Sequence, residues 1–193
     1  QGWHEMALFN EVTFSTYARP GEMMRVMAVD VVQKNDQYHH HVIVLSPFER
    51  GISSKTSIFD EVLVLDDTRM PELGDLVVDW AKERIQQEGE EASLWSFRAE
   101  QFLKVWRACV QVLEVSDIAV SPYQNRHGGA SRDHLLKLRS IPSIQRRGRW
   151  ATDTSARIYD KPGRLQQLLN TIGKELSPFG EKIRKDFPKW FRG

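Results

Sequence analysis

Cysteine is nearly absent from this sequence: Cys109 is the only one among 193 residues. One thiol forms no internal disulfide, and its place in Val105-Trp106-Arg107-Ala108-Cys109-Val110 reads as core, so a reducing, intracellular setting is expected. Long apolar runs are also lacking. Val42–Leu45 and Val62–Leu65 fall far short of the ~20 residues that span a bilayer, and no membrane crossing is expected. The opening Gln1-Gly2-Trp3-His4 has neither an initiator Met nor the basic-then-apolar pattern of a signal peptide. It is expected to be the cut end of a longer chain whose upstream sequence is missing. No internal repeat or low-complexity tract is visible.

An excess of charge of one sign is missing only when the chain is taken whole. The formal net charge is +1. From Arg126 to Gly193 there are sixteen Lys/Arg against six Asp/Glu, a net of +10, whereas residues 1 to 125 carry eleven against twenty, a net of −9. That asymmetry suggests a polyanion such as nucleic acid, because phosphates bound by Lys and Arg release condensed counterions. A solvated helical face is the alternative.

What is present is enough apolar residue, 40%, to build one domain with a core. Met6, Phe9, Val12, Phe14 and Tyr17 have mostly helical spacing, and the segment Trp3 to Ala18 should break at Arg19-Pro20-Gly21. Pro20 would open a short helix from Glu22 to Met27 running into a strand at Val29–Val32. His41–Leu45 and Glu61–Leu65 are two further strands, making a small three-stranded antiparallel sheet. From Glu72 the pattern turns helical, with Leu73, Leu76, Val77 and Trp80 on one helix and Phe102, Val105, Trp106, Val110 and Leu113 on another. A helix from Ser121-Pro122 to about Leu138 follows, then one from Ile141 stopped at Gly148, then one from Thr152 to Tyr159. The tail from Arg164 is amphipathic through Leu165, Leu168, Leu169, Ile172 and Leu176, with Pro178 interrupting it. The expected class is α+β, mainly helical.

Within this frame the chemistry-bearing residues come in a fixed order. Tyr17-Ala18-Arg19-Pro20-Gly21-Glu22 follows an apolar helix, and Ser54-Lys55-Thr56 sits between two strands. Tyr123-Gln124-Asn125-Arg126-His127 opens a helix, Arg147-Gly148-Arg149-Trp150 ends another, and Tyr159 lies nine residues beyond the tryptophan. Arg126 stands out even alone, since a charged residue in a Gly-Gly-Ala helix should face a close-packed neighbour and needs a partner there. The set resembles the boxes of the tyrosine recombinase (phage integrase) family. In that family an Arg is followed three residues later by an acid, a strand-turn Lys comes next, and then His-x-x-Arg, a His or Trp after a glycine, and the nucleophilic Tyr. The resemblance runs from about Glu5 to Tyr159. It departs from the family at Tyr123, where a His is usual.

The resemblance implies a catalytic domain over residues 1–163, with residues 164–193 an amphipathic helix and tail that can dock onto a neighbouring protomer. Phosphodiester transfer to a phenol oxygen needs charge stabilisation on phosphoryl oxygens, a route for the phenolic proton, and an acid for the leaving 5′ oxygen. Arg19 and Arg126 would clamp the non-bridging oxygens, Trp150 would donate its indole N–H, and Lys55 would protonate the leaving oxygen. Tyr159 would hold the 3′ phosphate, and because that bond conserves energy, neither ATP nor a metal cofactor is required. Tyr123 can donate to phosphate but is a poor base near neutral pH. Glu22 and His127 are assigned supporting roles, and Arg146, Arg147 and Arg149 contact with the DNA backbone. Double-stranded DNA and a homo-oligomeric, tetrameric synapse are the implied partners, and the location is intracellular and DNA-associated, nuclear in a eukaryote.

Two other readings share most of these residues. A type IB topoisomerase would relax DNA without exchanging partners, and an inactive DNA-binding descendant of a transposon-borne recombinase would keep the fold alone. Taken singly, Tyr159 is a helix tyrosine, Trp150 a core aromatic, Arg19 a helix C-terminal cation and Lys55 an exposed turn residue; their joint order is what carries the resemblance. His39-His40-His41 alternate faces on a strand and cannot converge on one metal ion, so no metal site is expected.

Overall fold

Leu8, Phe9 and Val12 recur at helical spacing in the first segment, and all three have no exposed surface on α1 (Gly2–Thr16) in the computed structural model of the chain. The structure describes residues 2–51, 59–152, 167, 170 and 172–193. Helix α1 ends where expected. Thr16 Oγ turns back to the Val12 carbonyl (2.7 Å), Tyr17 takes a left-handed backbone (φ 54°), and Arg19 is extended ahead of Pro20. Pro20 opens α2 (Pro20–Met23), where its missing N–H costs nothing. The rest of the short helix expected to reach Met27 is absent. Asp30 accepts from the Met27 amide (2.8 Å), which closes a 3₁₀ turn over Ala28–Asp30 and shortens the first strand to β1 (Val31–Val32).

Strands β2 (His41–Leu45) and β3 (Glu61–Leu65) have the boundaries the sequence predicts. The sheet is antiparallel in the order β1-β2-β3, with Val31 opposite Ile43 and Ile43 opposite Leu63. Its period of two turns Ile43, Leu45, Leu63 and Leu65 inward against α1 and α3 (Leu73–Glu88), while Val62 faces out. Leu73, Leu76, Val77 and Ala81 give α3 its buried stripe. The core is completed by Trp95, Phe97 and Phe102 around Phe9, with ring centroids 4.7–5.4 Å from that ring in edge-on geometry. Phe9→Ala would therefore cost ~3–5 kcal/mol.

Helix α4 (Ala99–Val112) contributes only Phe102 to the fully buried core. Cys109 is exposed, not core as expected: it lies two turns beyond Phe102 on the same side of α4, where the helix has run past the core. Helices α5 (Gln124–Leu135) and α6 (Ile141–Gly148) follow, α5 packing along α1 and α6 on α5. The last helix, α7 (Leu176–Arg192), corrects the expectation of a break at Pro178. That proline falls in the first turn, where no intrahelical bond is lost, and the helix continues across Pro188. Phe187 and Phe191 join the main core, and Trp190 lies 4.0 Å from the His4 ring, so this stretch packs on its own domain. Phe179 and Ile183 remain exposed. The helix expected from Thr152 to Tyr159 and most of the apolar tail from Arg164 lie outside the described residues. The result is α+β, with seven α-helices and one three-stranded sheet among the described residues. None of these helices is long and apolar enough to cross a membrane.

Candidate active site

Among the described residues Arg126 is the largest side chain with no exposed surface. Its burial follows from the glycines beside it. A Cβ on Gly129 would sit 2.0 Å from the Phe14 carbonyl, so only glycine lets α5 press this closely onto the end of α1. The guanidinium then reaches two carbonyls far apart in sequence, donating from Nη1 to Tyr17 (2.5 Å) and from Nη2 to Gly148. It lies 4.7 Å from the centre of the Trp150 ring. Its Nε is buried with no hydrogen-bond partner. Burial, with Arg19 and Arg149 close by, brings its pKa down to about 10, so it stays cationic at neutral pH but costs more to hold there than an ordinary arginine.

Both carbonyls are braced. Tyr17 is fully buried, and its hydroxyl donates to Asp133. Burial first, and then the Asp133 carboxylate, push the phenol well above its ordinary pKa. Asp133 also accepts from Arg132 and Arg139 (both 2.9 Å). Gly148 is pinned by the Trp150 ring, which would be 2.1 Å from a Cβ there. Trp150 is half-buried and stacks on Tyr17 with centroids 6.3 Å apart.

A second layer of charge lies beside this one. Arg19 donates to Glu22 Oε1 (2.6 Å), and Arg149 donates from Nη2 to the other oxygen of the same carboxylate (2.7 Å). Arg149 holds the left-handed cap of α6 (φ 52°) and is nearly buried. Its Nε and Nη1 have no hydrogen-bond partner, although Nη1 is 3.9 Å from Glu61. Burial lowers its pKa against the opposing pull of Glu22. Three guanidiniums thus meet around one shared carboxylate.

Of these groups Arg19 and Glu22 line a cavity of about 550 Å³, whose walls also include Arg25, Asp30, Arg50 and Tyr123, while Arg126 and Arg149 lie behind that wall. Tyr123 stands at the start of α5, 42% exposed, with its ring edge-on to His127 at 5.1 Å. His127 is half-buried. Burial and then Arg126 hold its pKa below the usual histidine value, so it is neutral near pH 7.

Arg19, Glu22, Tyr123, Arg126, His127 and Trp150 are therefore brought together, and Arg149 joins them. Arg147 takes a different place from the one expected. Its Nε and Nη2 bind the Ser15 carbonyl, Nη2 also binds that of Val64, and Nη1 pairs with Asp66 (2.8 Å). It fastens α6 to α1 and β3, with its donors turned inward. Arg146 is exposed. Lys55 and Tyr159 lie outside the described residues. His39 and His40 are exposed, while His41 is buried and spent internally, its Nδ1 accepting from the Lys34 amide (3.0 Å) and its Nε2 3.0 Å from Asp75. Among the described residues no group of three His, Cys, Asp or Glu is placed to hold a metal.

Sequence reasoning missed Arg25, Asp30 and Arg50, and also the network of Asp66, Asp67 and Asp133 behind Tyr17. Asp30 left a signal, an acid inside the apolar run Ala28-Val29-Asp30-Val31-Val32; the two arginines left none. Compared with protein-family models and with curated proteins, the chain matches none.

Proposed function

We propose that this chain is the catalytic domain of a tyrosine recombinase, a DNA breaking-rejoining enzyme that cuts and rejoins site-specifically through a 3′-phosphotyrosine bond. The observation that carries the reading is the meeting of Arg19, Arg126 and Arg149, from three separate segments, with two carboxylates against three cations: Glu22, shared by Arg19 and Arg149, and Glu61, 3.9 Å from Arg149. Such a cluster is short of negative charge, and a phosphodiester supplies it in the planar, bidentate form that guanidiniums match. The buried Nε of Arg126 and the Nε and Nη1 of Arg149 are donors still without hydrogen bonds.

The chemistry then divides among the residues. The Tyr159 phenol oxygen attacks phosphorus, its proton leaves to solvent or a nearby base, and the P–O5′ bond breaks as Lys55 protonates the departing oxygen. Arg19 and Arg126 hold the non-bridging oxygens as charge builds on them, already oriented by Glu22 and by two carbonyls. Trp150 donates its indole N–H to the same phosphate. A 5′ hydroxyl from another strand reverses the step and frees Tyr159. The recombinase reading carries with it double-stranded DNA as substrate, a tetramer of copies across two sites, and an intracellular location on DNA.

Incubation with a nicked suicide duplex tests this. A covalent 3′ adduct that disappears in Tyr159→Phe is expected; an adduct that survives the substitution overturns the assignment. Exchange between paired sites distinguishes a recombinase from a topoisomerase, which would relax one supercoiled plasmid instead. Binding without any adduct favours the inactive descendant, with Tyr123 the residue to restore to His.

A further inference from the structure

The cavity beside Arg19 is larger than one phosphate needs, and its far wall is cationic. Arg50 donates through both terminal nitrogens to Asp30, one of them at 2.8 Å, and Asp30 also accepts from the Met27 amide. Asp30 is buried and saturated, so it fixes the planar fork of Arg50 at the cavity wall and has little charge left for anything else. Arg50 itself is 30% exposed, with three of its five N–H groups unspent on Asp30. Arg25 is exposed on the same wall and makes no side-chain hydrogen bond or ion pair with another described residue. The carboxylate nearest to it in sequence, Glu22, is already shared by Arg19 and Arg149. Both acids of the wall are therefore matched, and among the described residues Arg25 is left as an uncompensated cation. Between these charges the lining is Val26, Val44 and Pro47, a low-dielectric surface that strengthens the field felt by an entering anion.

We infer that this wall binds a DNA backbone phosphate neighbouring the one that reacts, with Arg25 as its main contact and Arg50 as a pre-set second one. The inference rests on the recombinase reading, since that reading places the reacting phosphate at Arg19, on the near wall of the same cavity. An anion that reaches both walls carries more than one phosphate, as a nucleic-acid strand does. The contact carries no base information: it sets where the strand lies and adds affinity on every sequence.

Fluorescence anisotropy of the full chain with a mixed-sequence duplex of about 30 base pairs, titrated with KCl from about 50 mM upward, tests it. Arg25→Ala should flatten the slope of log K against log salt by about 0.9, the share of one phosphate, and Arg25→Lys should keep the original slope. Arg50→Ala should flatten it further and equally on unrelated duplexes. An unchanged slope in Arg25→Ala, in a variant whose thermal unfolding matches the parent, overturns the proposal. So does stabilisation of the parent but not Arg25→Ala by inorganic pyrophosphate with no change in slope, which would make the cavity a free-phosphate site. The Tyr159-dependent adduct is scored separately. An adduct with an unchanged slope sinks this inference alone, a flattened slope without an adduct sinks the strand-transfer reading alone, and no binding at the lowest salt sinks both.

Discussion

Arg149 and Glu22 are 127 residues apart in sequence, yet Nη2 of one lies 2.7 Å from Oε2 of the other. The other oxygen of Glu22 holds Arg19, so the position of Arg19 depends on a residue at the end of α6. Arg149→Ala should leave Glu22 and Arg19 free to turn. The expected outcome is a fall of about 100-fold in the rate of adduct formation at saturating DNA, the cost of a displaced catalytic group, with a smaller change in DNA affinity. Arg149→Lys should recover part of the rate. Single-turnover cleavage alongside binding separates the two effects; equal losses in both would make Arg149 a simple DNA contact.

Arg126, fully buried, and Arg147, largely buried, stand in neighbouring helices, and they should respond oppositely to replacement by methionine. Arg126 has a partnerless Nε and, among the described residues, no carboxylate within ion-pairing distance, so the fold bears the cost of an incompletely matched charge. Arg126→Met removes that cost along with two carbonyl bonds, and stability should stay within about 1 kcal/mol of the parent while adduct formation is lost. Arg147 is matched by Asp66 and by the carbonyls of Ser15 and Val64, and Arg147→Met should cost about 2–4 kcal/mol. Urea unfolding of the two variants checks the contrast.

Gly129→Ala tests the contact that buries Arg126. A methyl there has no space beside the Phe14 carbonyl and the Tyr17 ring. Helix α5 would have to move off α1, at a cost of about 3 kcal/mol or more. Cleavage should fall with it, because Arg126 and the Tyr17 carbonyl would separate. A variant with parental stability would mean that α5 does not lie where the structure places it.

His127 gives a pH signature. Its folded pKa is depressed, by burial and then by Arg126, so the unfolded chain binds its proton more readily. Its stabilising contribution is then complete above the unfolded value of about 6.5 and is lost as pH falls below it toward the folded value. Urea unfolding between about pH 6.5 and 5 should show stability decreasing in the parent and decreasing less in His127→Gln, before most carboxylates titrate. Identical slopes would mean that His127 titrates normally.

The elements the sequence announced best are those that a local period decides. Strands β2 and β3 alternate cleanly, and α3 carries an unbroken apolar stripe. Where a single side-chain bond competes with a period, the reading failed: Asp30 capturing the Met27 amide turned part of an expected strand into a 3₁₀ turn. Cys109 misled because an apolar neighbourhood along a helix does not say where the core beneath that helix ends. In the site, the order of Arg19, Arg126 and Trp150 was legible as a motif. The difference between Arg147 and Arg149 was not, because it depends on partners at Ser15, Val64 and Glu22 that no local pattern connects to α6.

The two carbonyls that hold Arg126 come from Tyr17 and Gly148, on opposite sides of it in the chain. A ribosome that has released α1 through α5 has therefore made the central arginine but not its second support. The setting of Arg126 becomes complete only after α6 emerges, so on the proposed reading a nascent chain that has released only α1 through α5 does not yet carry a finished phosphate clamp.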